Sequence, residues 1–224
     1  MKRNLPFLAC IGFALTISTH PAYAIPLTPG TATSLPGTTV AAEPQLAGVV
    51  QVDDLVPFSF SANGGTISGT TQVRVVRSSV DSTLDFYWRV VNDATSSGAI
   101  GDFRIGDFMD STYNANYRID GLGDVAPISA FRFSESLDSF VNFQFGDLLV
   151  PGTSSKFFFI DTDATSFAKT ASYHLTNVGQ SEISPQFSMY SPAASAVPEP
   201  SSLLLLGSGL LGLSLAAWRQ KHTA

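Results

Sequence analysis

The sequence predicts an all-β protein. The expected form is an antiparallel β-sandwich or jelly roll of about nine or ten strands, with an N-terminal signal helix and a C-terminal transmembrane helix. Three observations carry that expectation. Apolar residues recur with period two through the middle of the chain. Glycine-bearing turn sequences separate those runs. Each end is an apolar stretch with basic residues on its flank, while nothing between them shows an apolar stripe of helical period.

Lys2 and Arg3 place positive charge at the start, and residues 5–17 are apolar with little interruption beyond Pro6. His20-Pro21-Ala22-Tyr23-Ala24 then sets small residues at Ala22 and Ala24. A signal peptidase accepts that spacing because its pocket admits only small side chains there. Residues 1–24 are therefore expected to be a signal peptide cut after Ala24, with signal peptidase as a partner. The one cysteine, Cys10, lies inside this run, so the exported part can form no internal disulfide.

Residues 25–47 read IPLTPGTATSLPGTTVAAEPQLA. Pro, Thr, Gly and Ala dominate, and neither a helical nor a strand period is present, which predicts an extended arm ahead of the body. The body is expected over residues 48–190. Val73 and Val75 alternate with Gln72 and Arg74. Leu84, Phe86, Trp88 and Val90 alternate with Asp85, Tyr87 and Arg89. Phe131 and Phe133 flank Arg132; Val141, Phe143 and Phe145 alternate with Asn142 and Gln144; Tyr173 and Leu175 flank His174. Such alternation sends one set of side chains into a core and the other toward water. Phe157-Phe158-Phe159-Ile160 is continuous, the pattern of a strand buried on both faces. Asn63-Gly64-Gly65, Ser97-Gly98, Asp120-Gly121-Leu122-Gly123, Pro151-Gly152 and Gly179-Gln180 supply the intervening turns.

Residues 191–197 form a small-residue spacer, and residues 198–224 the tail. From Pro200 to Trp218 there are 19 residues without a charge. As a helix they span roughly 28 Å, close to the hydrocarbon thickness of a bilayer. Pro198 and Pro200 set the start of that helix, expected over residues 201–218. Trp218 suits the membrane interface, and Arg219 and Lys221 are expected to stay on the cytoplasmic side. That orientation places the body outside the cytoplasm, tethered to the inner membrane.

Val197-Pro198-Glu199-Pro200, a Ser pair, a Leu/Gly-rich stretch and a basic end occur in that order. Together they resemble the PEP-CTERM sorting signal, over about residues 196–224. The resemblance implies recognition by an exosortase-type enzyme in the membrane of a Gram-negative bacterium. It also implies an association with exopolysaccharide and biofilm, and a final place at the cell surface or in the extracellular matrix. The same tail type carries an ice-binding-protein C-terminal label, which describes the tail and not an activity of the body. The basic end here is lighter than in many relatives.

Charge excludes one partner class. Residues 25–197 hold eight basic and 17 acidic side chains, a net charge of −9, and phosphates need Lys and Arg. Nucleic acid is therefore not expected. Zinc is poorly served by a body with His174 as its one histidine and no cysteine. No Gly-x-Ser-x-Gly elbow occurs in the body. Glu135, Asp138 and Glu182 are the acids a glycosidase-like pair would draw on. Calcium prefers several loop carboxylates, for which Asp161 and Asp163 are the candidates; Asp102, Asp107 and Asp110 crowd a second segment, and Asp120 and Asp124 a third. Tyr87, Tyr113, Tyr117 and Tyr190 are the rings available to a sugar.

The leading expectation is thus an exported, non-catalytic envelope or matrix protein with no required cofactor. The alternatives are a carbohydrate- or calcium-binding module, with extracellular polysaccharide as a partner, and a small secreted hydrolase.

Overall fold

The computed structural model describes residues 23–62, 64–108, 113–133 and 140–194. In chain order its strands are β1 (Ile25–Pro26), β2 (Thr31–Ser34), β3 (Gly48–Ala62), β4 (Gly65–Ser78), β5 (Leu84–Asn92) and β6 (Ile100–Gly106). Then follow β7 (Asn114–Tyr117), β8 (Pro127–Arg132), β9 (Val141–Leu149), β10 (Phe158–Asp161), β11 (Phe167–Asn177) and β12 (Phe187–Pro192). They form two six-stranded antiparallel sheets, ordered β1-β7-β10-β5-β4-β3 and β12-β11-β6-β9-β8-β2. Each sheet is an open ladder. The signal segment 1–22, with Ala22, and the whole tail, with Val197, Pro198, Glu199, Pro200, Trp218, Arg219 and Lys221, lie outside the described residues. Among the described residues no helix is long and apolar enough to cross a membrane.

The two sheets meet through aromatic side chains. Trp88 on β5 is fully buried, with Phe103 of β6 at 5.9 Å and Phe143 of β9 at 6.3 Å between ring centroids. Phe158 on β10 lies 6.0 Å from Trp88 and 5.1 Å from Phe103. These tilted and edge-on contacts suit rings whose faces and edges carry opposite partial charge. The expected alternation holds on β4, β9 and β11, where Val73, Val75, Val141, Phe143, Phe145, Tyr173 and Leu175 are all buried. The β3–β4 hairpin runs in register from Gly48↔Ser78 to Ala62↔Gly65, with one bulge at Val50/Val52. Gly64 in its turn has φ +73°, a value that costs a residue without Cβ little.

Four expectations are corrected. The segment 25–47 is not an arm outside the body. β1 joins the edge of one sheet and β2 the edge of the other, while Leu27, Leu35 and Leu46 are buried. Its strands are two and four residues long, too short to leave a readable period, and they raise the count to twelve. At the other end β12 extends through Pro192 with Ser191 fully buried, so the body runs past residue 190 into the expected spacer.

On β5, Asp85 and Tyr87 were expected to face water and are buried, because the segment around Glu43–Leu46 covers that face. On β8 the faces are reversed. Arg132 is 9% exposed with its guanidinium 3.9 Å from the Tyr113 ring centroid, and Phe133 is exposed. A register shift between Pro127 and Ser129 accompanies this. The Phe157–Ile160 run is buried on both faces as expected. Phe158 and Ile160 enter the main core, and Phe157 and Phe159 enter a second cluster with Leu46, Val76 and Tyr87.

Candidate functional site

The second cluster marks the outer face of the first sheet as the place where polar chemistry is concentrated. Register aligns Val76 with Asp85, Asp85 with Asp161, Asp161 with Asn114, and Asn114 with Pro26. Residues directly opposite on neighbouring strands share a face, so this row sets two carboxylates side by side. The 3-10 turn Pro44–Leu46 lies above them and is fixed by the Tyr87 hydroxyl, which donates to the Leu46 carbonyl at 3.1 Å. Beside it Glu43 is buried too.

Burial dominates the electrostatics. It pushes the Asp85 carboxyl up to about 9, with the Asp161 charge adding to the effect. Burial likewise raises Asp161 and Glu43, and it drives the Tyr87 phenol well above its ordinary range, with Asp85 contributing. Neither Asp85 oxygen has a donor in hydrogen-bond geometry, nor does Glu43 Oε1. Such groups are costly unless they hold a proton or find a positive partner. The Arg118 guanidinium on this face is engaged by Asp120 at 2.6 Å.

Beside this row opens a cleft of about 490 Å³, lined in part by Val40, Leu46, Arg74, Tyr87, Arg118 and Phe157. Its walls are mixed. The Arg74 guanidinium lies 4.8 Å from the Phe157 ring centroid and bonds Asp53 at 2.8 Å, which holds the Asp53 carboxyl below its usual range. A second hollow of about 240 Å³ on the other sheet is lined by Ile105, Phe133, Phe140, His174 and their neighbours.

The predicted site residues are dispersed. Asp161 turns to Asp85, whereas Asp163 is exposed beyond the end of β10. Among the described residues no three His, Cys, Asp or Glu side chains group to hold a metal. Asp102 accepts hydrogen bonds from Thr176 and Asn142, Asp120 from the Val40 amide, and Asp124 from the Ser154 amide. Asp107 has φ +58°, and Asp110 lies outside the described residues. Glu182 accepts from Asn177 at 3.2 Å; Glu135 and Asp138 lie outside the described residues. Tyr87 and Tyr113 are buried, leaving Tyr117 and Tyr190 half-exposed, the latter donating to Asp54 at 3.1 Å. His174 is half-buried, with Nδ1 3.1 Å from the Ser184 carbonyl. Of the expected cleavage pair, Ala24 is half-buried against the second cluster.

Sequence reasoning missed Glu43 and Asp85. An Asp in a run otherwise made of Leu, Phe, Trp and Val was a signal for Asp85. Glu43 carried none, since the segment holding it lacks a period.

No curated protein and no solved structure matches this chain. A family model, the PEP-CTERM protein-sorting motif, matches residues 196–221. The chain therefore ends in the sorting signal of exported proteins that an exosortase-type enzyme processes.

Proposed function

We propose that the protein is a non-catalytic β-sandwich of the bacterial envelope or extracellular matrix, delivered by an N-terminal signal and sorted through its tail. The observation that carries this reading is the sorting motif at residues 196–221. The reading places the body outside the cytoplasm, first tethered to the inner membrane and then at the surface or in the matrix, in association with exopolysaccharide. Intact mass of the protein from its native envelope, combined with fractionation, tests it. Both ends should be shortened and the body should follow the surface or matrix fraction. A body recovered at full length in the cytoplasm would sink it.

The outer cleft favours saccharide as the body's ligand. Its walls combine apolar side chains with two guanidinium groups, the mixture that suits a sugar bearing carboxylates. Full-length protein on an array of acidic and neutral matrix polysaccharides should retain the acidic ones, and Arg74→Ala should weaken retention. Equal retention of both classes, or none, would refute this ligand assignment while leaving the export reading untouched.

A further inference from the structure

The acidic group on the outer face is short of positive charge at the point where the chain would leave its signal peptide. Glu43 and Asp85 are each 1% exposed, and three of their four carboxylate oxygens lack a donor. Asp161 stands opposite Asp85, and Asp81 and Asp163 add further negative charge nearby. Tyr87 borders the group with its hydroxyl given to Leu46, and Arg118 is held by Asp120.

Ala24 packs against the same second cluster, and its backbone amide faces the Glu43 carboxylate. The Asn116 side chain fixes the preceding carbonyl, that of Tyr23, at 3.1 Å. Ile25 is set in β1 opposite Ala115, and Pro26 shares the row of Asn114, Asp161 and Asp85. Consecutive residues are about 3.8 Å apart. The nitrogen exposed by a cut after Ala24 therefore lies one residue from the amide that Glu43 already faces.

We propose that the α-ammonium freed at Ile25 by cleavage after Ala24 is the counter-charge of the buried Glu43–Asp85–Asp161 group, so that processing completes the outer face. Hydrolysis of the Ala24–Ile25 bond adds the hydroxyl of water to the Ala24 carbonyl carbon and its hydrogen to the Ile25 nitrogen. That nitrogen takes a second proton from solvent at neutral pH. The resulting ammonium has three donors where the peptide had one, and its pairing with carboxylates is strengthened by the low local dielectric. The uncleaved chain meets the same group with a neutral amide, and Asp85 holds a proton instead. The inference rests on export and on cleavage after Ala24, and its test separates those from the pairing.

The full chain, with signal and tail, is produced in a Gram-negative host and solubilised from the membrane. It is compared with an Ala22→Leu chain, in which a bulky side chain blocks the peptidase. Intact mass identifies the N-terminus. In the mature chain an amine-selective acylating reagent should react at Ile25 at least about tenfold more slowly in the folded than in the unfolded protein, the factor for a one-unit rise in amine basicity. Asp85→Asn should lower the thermal midpoint of the mature chain but not that of the Ala22→Leu chain. Equal acylation rates in the folded and unfolded states, or the same Asp85→Asn shift in both chains, would overturn the pairing. So would a mature N-terminus elsewhere than Ile25, which leaves export itself intact. Calcium stabilising the Ala22→Leu chain through Asp85 would overturn it as well, by assigning the role to a metal ion.

Discussion

Asp85→Asn in the uncleaved Ala22→Leu chain isolates the cost of the carboxyl row. Burial raises Asp85 from 3.8 to about 9. An acid raised in the native state keeps a proton that the unfolded chain has released. Below the unfolded value both states are protonated and the group is neutral in its effect. As pH rises above it, the unfolded state binds fewer protons and stability falls by about 1.4 kcal/mol per unit, until the native value is passed. Neutral pH lies about three units above 3.8, so the burden there is about 4 kcal/mol. That is a large share of the roughly 5–15 kcal/mol that holds a typical domain. Asparagine keeps the shape, does not titrate, and offers its amide to Asp161. The variant should therefore gain up to about 4 kcal/mol near pH 7 and differ little near pH 4. Urea unfolding between those values measures both slopes. Parallel stability curves for the two proteins would refute the buried, proton-holding carboxyl.

Three further changes probe the frame around that row. Trp88→Ala removes the ring that joins the two sheets and should cost about 3–5 kcal/mol in urea unfolding of the full chain. Leu46→Ala should cost about 2–4 kcal/mol and, by loosening the cover on Tyr87, bring the phenol's spectroscopic titration down toward its ordinary range. Gly123→Ala should lower the thermal midpoint, since Gly123 has φ +104° and a Cβ there would meet the Ser155 carbonyl. An unchanged midpoint would mean that this turn is free to move.

Legibility in the sequence followed how locally each feature is encoded. Val141, Phe143 and Phe145 announce their strand because each faces the core of a half-buried sheet, and period two survives. Phe157–Ile160 announces burial on both faces for the same reason. The alternation of β5 was misread at Asp85 and Tyr87 because its second face is covered by a segment some forty residues earlier, as the Tyr87–Leu46 bond shows. Arg132 was placed outside on charge alone; the Tyr113 ring that receives it becomes adjacent only when the two sheets close.

The same contrast separates the two ends of the function. A sorting tail is read linearly by the enzyme that recognises it, so Val197-Pro198-Glu199-Pro200 and the residues after it carry their meaning in order, and the family model finds them at residues 196–221 without any fold. The outer face works the other way. Glu43, Asp85 and Asp161 are far apart in sequence, and each alone reads as an ordinary surface acid. β5 and β10 bring two of them into register, and a short turn lowers the third beside them. What makes the group chemically consequential is the apolar cover of Leu46, Tyr87 and Phe159, which withholds water from carboxylates that lack donors. Residues 25–47 are thus the part of the body on which the site depends most, although they leave the weakest signal in the sequence.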